Sequence, residues 1–269
     1  MTRWIAVALG ALALGAPAAA QQADAPLDLD CLIEPRSVAN LSPAADGIIA
    51  EILVDRGDIV RRGQPVARLD DSLEALQVDL ARARAASDVV LRQQVSRREL
   101  RQTEFDRVAA LEERNVSSTA LRQTAEIELR LAEMGVEEAQ LARDLAEIEL
   151  AQMEAMRDRR TLRSPFAGVV TEVTAARGEF ATKQTAIVTV AEIDPLYVNV
   201  FVPAEAYARV APGDTRIVRQ ERPVSFAQEA VVTVVDSVFD AASATFAVRL
   251  ELPNPDGAIP AGTKCRVAF

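Results

Sequence analysis

Two short segments of the chain carry the same alternation of β-branched apolar residues and glycines. Shifting the first by 121 positions places Gly47 and Gly57 on Gly168 and Gly178, and the isoleucines of GIIAEI fall on the valines of GVVTEV. Short apolar runs punctuated by glycines predict strands joined by turns that need positive φ. One such segment has too little apolar surface to fold alone in water. We therefore expect the two to be halves of one β-module.

The segment between the two copies has the composition of long helices. Residues 67–164 contain no proline and one glycine, Gly135, and consist mainly of Ala, Leu, Glu, Arg and Gln. The sequence RNVSST is the predicted break. There Asn115 can form a left-handed C-cap, and Ser117 or Ser118 can cap the following helix.

This break divides the helical insert into two antiparallel arms of about 43 residues, each roughly 65 Å long. At the start of the first arm, Asp71 and Glu74 form an acidic variant of a capping box. A hairpin of this kind begins and ends at the same place. It can therefore interrupt a β-module without separating its halves.

Apolar residues at alternating spacings of three and four predict the seam along which the two arms pack. In the second arm, where Glu138 is the one polar interruption, they are Ile127, Leu131, Met134, Leu141, Leu145 and Ile148. In the first arm they begin with Leu73, Leu76, Leu80 and Ala83. Ser87, Gln94 and Arg97 fall on the next seam positions, so we expect the seam to shift toward Leu91 and Val95.

The remainder of the chain alternates polar and apolar residues in the manner of antiparallel strands. Segments such as YVNVFV and ATFAVRLEL, with turns at Pro212-Gly213 and Ala261-Gly262, predict a β-barrel or sandwich. A short helix is expected at residues 204–210. The stretch CLIEPRSVANL, which begins at Cys31, is expected to add a strand and to bring Cys31 near Cys265.

The N-terminal sequence MTRWIAVALGALALGAPAAAQQ predicts a secretory signal cleaved after Ala20, with an uncleaved anchor as the alternative. We accordingly expect a periplasmic location. Export would place Cys31 and Cys265 in an oxidising compartment, where a disulfide between them is favoured over two separate buried thiols. Closing so long a loop is worth up to about 5 kcal/mol in the chain-entropy model.

Charge and histidine content exclude several functions. The net charge of −10 without a basic stripe argues against nucleic-acid binding. The absence of histidine excludes Ser-His-Asp triads, Cys-His dyads and histidine metal sites. Glu51 and Glu172 occupy matching repeat positions, which favours a shared structural role over paired acid and base. We expect no enzymatic activity, cofactor or metal.

Three segments together resemble the membrane fusion proteins, or hemolysin-D-like periplasmic adaptors. They are GIIAEILVDRGDIVRRGQPVARLD, LRSPFAGVVTEVTAARGEFATKQTAIVTVAEIDPLYVNVFVP and DSVFDAASATFAVRLELPNPDGAIPAGTKCRVAF. The resemblance implies a multidomain α+β fold: a split lipoyl-like β-domain (barrel-sandwich hybrid) interrupted by a helical coiled-coil hairpin and followed by a β-barrel. The expected boundaries are 1–20 for the signal, 21–40 for a segment joining the barrel, 41–70 and 161–193 for the lipoyl-like halves, 71–160 for the hairpin and 194–269 for the barrel.

The same resemblance implies partners. Adaptors of this family join an inner-membrane pump, here favoured as the resistance-nodulation-division (RND) type, to a TolC-like outer-membrane channel, usually as hexamers or trimers of dimers. Arg107, Leu111 and Ser118 resemble the tip residues of adaptors that dock on such channels. Many RND adaptors have a membrane-proximal domain after the barrel, whereas this sequence stops at Phe269, so we expect a reduced or different pump contact.

Other functions give different expectations. An adaptor of an ABC exporter or type I secretion system is the nearest alternative. A biotinyl or lipoyl carrier needs a lysine at the turn between the halves, but residues 71–160 contain none. A coiled-coil envelope scaffold would need the hairpin but neither the split β-module nor the barrel.

Overall fold

The structure is a computed structural model that describes Thr2 and residues 27–269; the rest of the predicted signal segment lies outside the described residues. The chain divides into two compact units. One contains the described residues up to Leu32 together with Asn199–Leu250 and Lys264–Phe269. The other contains Ile33–Val198 and Glu251–Thr263 and therefore holds both repeat copies and the helical insert.

The repeat copies form the strands of the second unit. These are β2 (Gly47–Ile52), β3 (Ile59–Val60), β4 (Pro65–Leu69), β5 (Thr161–Arg163), β6 (Gly168–Val173) and β7 (Phe180–Ala181). Two longer strands, β1 (Asp28–Leu41) and β8 (Val188–Pro203), contribute residues to both units. One sheet has the order β5-β4-β2-β7, and β8, β6 and β3 pair side by side in another.

Equivalent residues of the two copies make reciprocal hydrogen bonds. The Gly57 amide donates to the Val170 carbonyl, and the Gly178 amide, 121 positions later, donates to the Ile49 carbonyl; both distances are 2.8 Å. Gly57 and Gly178 have φ of +97° and +88°, the left-handed conformation predicted for these turns. Each half thus completes the other, and the two copies form one β-module.

The module closes around apolar residues from both halves. Ile49, Val60 and Val66 of the first copy share a buried cluster with Val170 and Ile187 of the second. Most of these side chains lie on strands shorter than seven residues, which could not bury them alone.

The helical insert is a hairpin whose first arm is broken. Its helices are α1 (Ser72–Ala85), α2 (Val89–Glu113) and α3 (Thr119–Asp158), so the prediction of one continuous first arm is wrong. Continuing the buried positions Val78, Ala81 and Ala85 of α1 at coiled-coil spacing would place Arg92 in the seam. The break instead leaves Arg92 in solvent and turns Leu91 partly inward.

The predicted seam of α3 is also wrong. The residues that α3 buries are Leu129, Ala132 and Ala139, whereas the predicted seam residues lie on nearly the opposite face. Small residues let the helices approach closely, and a Cβ added to Gly135 would lie 3.0 Å from the Gln94 Oε1. The observed seam therefore combines small side chains with polar contacts, a pattern that apolar spacing alone does not reveal.

The first unit is built from antiparallel strands. They are β9 (Thr215–Gln220), β10 (Phe226–Val235), β11 (Thr245–Leu252) and β12 (Thr263–Ala268), in the order β1-β12-β9-β10-β11-β8, with a 3₁₀ helix at Ala204–Arg209. Phe246, Val248 and Leu250 of β11 point into its core. The predicted extra strand from the N-terminal stretch is present as β1, which pairs with β12.

Candidate functional site

The tip of the hairpin is a short turn with a cap on each side. Asn115 has φ of +57°, and the Val116 amide donates to the Leu111 carbonyl at 2.9 Å, which closes the C-terminus of α2. On the other side, the Ser118 Oγ accepts a hydrogen bond from the Leu121 amide at 3.3 Å. The predicted left-handed C-cap and serine N-cap are both confirmed. The turn is thus a defined surface held by its own backbone.

Of the three predicted tip residues, Leu111 and Ser118 flank this turn, and Arg107 lies nearly two helical turns before the end of α2. Arg107 and Leu111 are one helical turn apart on the same face of α2. Arg107 is exposed, and Leu111 is 36% exposed. Among the described residues, no side chain pairs with the Arg107 guanidinium. Ser118 lies across the turn at the start of α3, where capping already uses its oxygen as an acceptor.

Sequence reasoning missed Val116, which is 72% exposed at the apex of the turn. The sequence did contain a signal for this residue, since Val116 lies between the capping residues Asn115 and Ser118 and belongs to neither helix.

Behind the apex, the Arg122 guanidinium lies 2.7 Å from the Glu112 carboxylate and joins α2 to α3. Farther down, Arg101 contacts Glu104 and Glu128, and these carboxylates raise the pKa of its guanidinium. The tip region therefore combines two arginines without a side-chain partner, Arg107 and Arg114, with exposed apolar side chains on a braced turn.

The base of the hairpin is fixed by charged groups. The Leu69 amide donates to the Arg160 carbonyl at 2.8 Å, so the chain leaves and re-enters the β-module at one place. The Arg160 guanidinium contacts the Glu74 carboxylate at 2.5 and 3.0 Å and donates to the Asp46 carbonyl at 2.7 Å. Arg160 and Glu74 are only 21% and 13% exposed.

The predicted capping box at Asp71 and Glu74 is absent. The Asp71 side chain makes no cap hydrogen bond and instead contacts the Arg157 guanidinium at 2.6 Å, which raises the pKa of Arg157. The Ser72 amide donates to Asp70, and this bond holds the pKa of Asp70 below its ordinary value. Arg157 and Arg160, at the far end of the insert, thus pair with Asp71 and Glu74, the two acidic residues that the sequence pattern assigned to a local capping box.

The predicted glycine positions show two kinds of constraint. Gly57 and Gly178 form left-handed turns. Gly47 and Gly168 are places of close approach: a Cβ on Gly168 would lie 2.2 Å from the Ala191 carbonyl oxygen, and one on Gly47 would lie 2.6 Å from the Arg160 Nη1. All four therefore serve the construction of the β-module.

Cys31 and Cys265 are joined by a disulfide in the structure, with their Cα atoms 4.9 Å apart and both side chains buried. The bridge connects β1 to β12 across 234 positions of sequence.

Within residues 27–269, no group of three or more acidic or cysteine side chains is arranged to hold a metal ion. In the same part of the chain, none of the helices combines the length and apolar character needed to cross a bilayer.

The split β-module identifies the family. A family model described as "CzcB-like, barrel-sandwich hybrid domain" matches residues 37–192, more than half of the chain. The chain belongs to this family. The resemblance to membrane fusion proteins and the predicted fold, a split barrel-sandwich hybrid with a helical hairpin followed by a β-barrel, are confirmed.

Individual relatives agree with this assignment. The chain is 27% identical over 237 residues to the multidrug resistance protein MdtE of Escherichia coli K12, an alignment covering 83% of this chain and 58% of the relative. It thus spans a little over half the length of the curated relatives it matches.

Two solved structures share the fold. The crystal structure of MacA from Actinobacillus actinomycetemcomitans superposes with a TM-score of 0.72 at 17% identity, covering 90% of this chain and 78% of MacA. The membrane fusion protein Spr0693 from Streptococcus pneumoniae R6 gives 0.60 at 14% identity, covering 90% of this chain and 98% of Spr0693. At these identities the superpositions establish the architecture alone.

Proposed function

We propose that the chain is a periplasmic adaptor subunit of a tripartite efflux or secretion system. It links an inner-membrane transporter, favoured as the RND type, to a TolC-like outer-membrane channel. It is exported by its N-terminal signal and works as a homo-oligomer, a hexamer or a trimer of dimers. Its contribution is geometric rather than catalytic, and it needs no cofactor. The energy for transport belongs to its pump.

The observation that carries this proposal is a rod that leaves and returns to one point of a β-module. The Leu69–Arg160 backbone hydrogen bond and the Arg160–Glu74 ion pair join its two ends. The 40 residues of α3 give the rod a length of roughly 60 Å. Such a rod presents its capped tip at a fixed distance from the β-module, which is what a spacer between two membranes requires.

The relatives support an export function. MdtE is named as a multidrug resistance protein, and Spr0693 is described as a membrane fusion protein. An adaptor of an ABC exporter or a type I secretion system would need the same rod and tip. Photo-cross-linking from exposed residues of the first unit, followed by mass spectrometry of the captured membrane protein, separates the two pump classes.

At the tip, we assign channel contact to Arg107, Leu111 and Ser118. The forked Arg107 guanidinium suits carboxylate or backbone carbonyl groups at the rim of a helical channel. Leu111 and the neighbouring Val116 offer apolar side chains for a shallow pocket. Because the Ser118 oxygen already caps α3, its contribution to docking is small size, which allows close approach.

The test is charge reversal at the tip. Arg107→Asp together with Ser118→Arg should weaken binding to a purified TolC-like channel by about tenfold or more and abolish efflux in cells. Arg107→Asp alone should give most of the loss, and it leaves the helix cap intact. A matched control, Arg36→Asp with Ser37→Arg on exposed β1 positions, makes the same two charge changes away from the tip. Unchanged channel affinity and efflux in the tip variants would refute the docking assignment.

A further inference from the structure

The tip carries a second exposed arginine, Arg114, in addition to the docking residues Arg107, Leu111 and Ser118. Arg114 is the C-cap residue of α2, and its φ of −88° and ψ of 6° keep it close to the helical path. Arg107, Leu111 and Arg114 are thus spaced four and three residues apart. At about 100° per residue they lie within an arc of about 60° on one face of α2, with the two arginines about 10 Å apart along its axis.

Neither arginine is neutralised within the chain. Among the described residues, no side chain pairs with the guanidinium of Arg107 or of Arg114. The two carboxylates nearest to Arg114 in sequence are directed elsewhere. Glu112 contacts the Arg122 guanidinium at 2.7 Å, and Glu113 is exposed about 120° around the helix from Arg107. The face that holds both arginines therefore presents positive charge to solvent.

The carboxylates of the preceding helical turn are also engaged. Glu104 contacts the Arg101 guanidinium, and Asp106 accepts a hydrogen bond from the Gln102 Nε2 at 2.9 Å. Residues 71–160 contain 19 acidic residues and 14 arginines, so the hairpin has more than enough carboxylates to pair every arginine. The two tip arginines are unpaired because of where they lie and not because acidic residues are lacking.

An apolar side chain lies between the two arginines. Leu111 is 36% exposed on the same face, and Val116, at the apex of the turn, is 72% exposed. Docking would remove water from the two guanidinium groups, and a cation taken out of water needs a charged or strongly hydrogen-bonding partner. Carboxylates match the forked donors of arginine in both charge and geometry. The face therefore fits two carboxylates on either side of a shallow apolar depression.

The spacing of the arginines matches that of residues on a partner helix. Two acidic residues seven positions apart on a helix also share one face and are about 10 Å apart along its axis. A helix running alongside α2 would then bring one carboxylate to each guanidinium. Between them, a small residue of that helix would leave room for Leu111.

We propose that Arg107 and Arg114 act together as an arginine pair that binds one helix of the docking partner, and that this helix carries two carboxylates seven residues apart. The partner is the outer-membrane channel of the proposed function, on which this inference rests. The inference adds Arg114 to the docking residues and specifies an acidic surface on the channel. A channel whose rim is uncharged or basic at these positions would be rejected, because both guanidinium groups would lose water without gaining a counter-charge.

The distribution of lysines allows a direct test. The lysines of the chain are Lys183 and Lys264, and residues 71–160 contain none. Arg107→Lys and Arg114→Lys therefore each place a single primary amine in the hairpin and keep the positive charge, including the favourable charge at the C-terminus of α2. Arg97→Lys is the matched control. Arg97 is exposed on the same helix, about 15 Å farther from the tip than Arg107.

A water-soluble carbodiimide joins an amine to a carboxylate only where the two are in contact. The carbodiimide activates the carboxylate, the lysine Nζ displaces the activating group to form an amide, and the carbodiimide leaves as a urea. Each full-length variant is treated in this way with a purified TolC-like channel, and the coupled peptides are identified by mass spectrometry. The wild type treated in parallel shows which products come from Lys183 and Lys264.

We expect the two tip variants to couple to two different acidic residues of the channel. These residues should lie seven positions apart on one helix, and Arg97→Lys should couple to neither. Coupling of Arg97→Lys to the same residues would overturn the inference, because it would indicate general attraction along the helix. Acidic residues at another spacing, or on different helices, would overturn it as well.

Binding affinity gives an independent readout. Arg114→Gln should weaken binding to the channel about fivefold, the upper range for an exposed charge pair, and should reduce the salt dependence of binding. Arg97→Gln should change neither. Neutralising the coupled acidic residue of the channel should cost about as much as Arg114→Gln, and combining the two changes should add little further loss.

The results separate this inference from the proposed function. A wild type that does not bind the channel would overturn both. If the wild type binds and Arg107→Asp weakens binding, but Arg114→Gln binds like the wild type, the arginine pair is wrong and the adaptor function stands. Far-UV circular dichroism should show the helix content of the wild type in every variant, so that a loss of affinity reports on the contact itself.

Discussion

Arg160 is the side chain that holds the hairpin to the β-module, and its removal gives the sharpest stability prediction. Arg160→Met keeps the apolar stem of the side chain and removes its charged head. It breaks two contacts with the Glu74 carboxylate and one hydrogen bond to the Asp46 carbonyl. The Glu74 carboxylate, 13% exposed, then loses this guanidinium in a poorly solvated position.

The expected cost follows from that partial burial. Breaking a fully buried ion pair costs about 3–5 kcal/mol, whereas an exposed pair is worth about 0–1 kcal/mol. With the two side chains 21% and 13% exposed, Arg160→Met should lower the free energy of unfolding by about 2–3 kcal/mol. Adding Glu74→Gln should recover part of this loss, because a neutral amide is easier to leave without a charged partner.

The measurement is urea unfolding followed by far-UV circular dichroism, which reports on the hairpin helices. Arg68→Met is the matched control: Arg68 pairs with Glu51 at 2.9 Å in the same unit, but the two side chains are 53% and 43% exposed. It should cost less than about 1 kcal/mol. Equal losses in the two variants, or no recovery on adding Glu74→Gln, would refute the role given to Arg160.

Three further predictions concern the β-module, helix α3 and the bridge between β1 and β12. Gly168→Ala forces a Cβ to within 2.2 Å of the Ala191 carbonyl oxygen and should cost about 3 kcal/mol or prevent folding. Gly135→Ala, which places a Cβ in α3 against only the flexible Gln94 side chain, should be neutral or stabilising by up to about 1 kcal/mol. Thermal melts of the two glycine variants measure both effects. Cys31→Ser with Cys265→Ser opens a loop of 234 positions and should cost about 2–5 kcal/mol, measured as a fall in the melting temperature. An unchanged melting temperature, together with two reactive thiols in the native wild type, would contradict the disulfide.

The repeat and the hairpin could be predicted because each has a local signal. Gly57 and Gly178 mark equivalent turns, and both adopt positive φ. The proline-free segment breaks at its centre, where Asn115 and Ser118 supply caps, and both caps formed. Signals of this kind depend on a few neighbouring residues, so they remain valid whatever the rest of the chain does.

Ion pairs between distant side chains could not be predicted. Glu74 was assigned to a capping box with Asp71, but each pairs with an arginine 86 positions away. Each acidic side chain can make either a weak local hydrogen bond in a capping box or a stronger charge-assisted pair with an arginine. The pair forms once folding brings the arginine near. The break after Ala85 was missed because apolar spacing indicates that the seam shifts toward Leu91 but not that the helix ends; the break leaves Arg92 in solvent.

The error about the seam of α3 has a different cause. A heptad pattern shows that a row of apolar residues will be covered, but not by which partner. A two-helix hairpin offers each helix a single internal neighbour, and here alanines, Gly135 and ion pairs such as Arg101–Glu128 occupy that contact. The stronger apolar row of α3 therefore faces outward. Its regularity over more than 20 residues, from Ile127 to Ile148, is thus a property that the internal packing of the hairpin does not use.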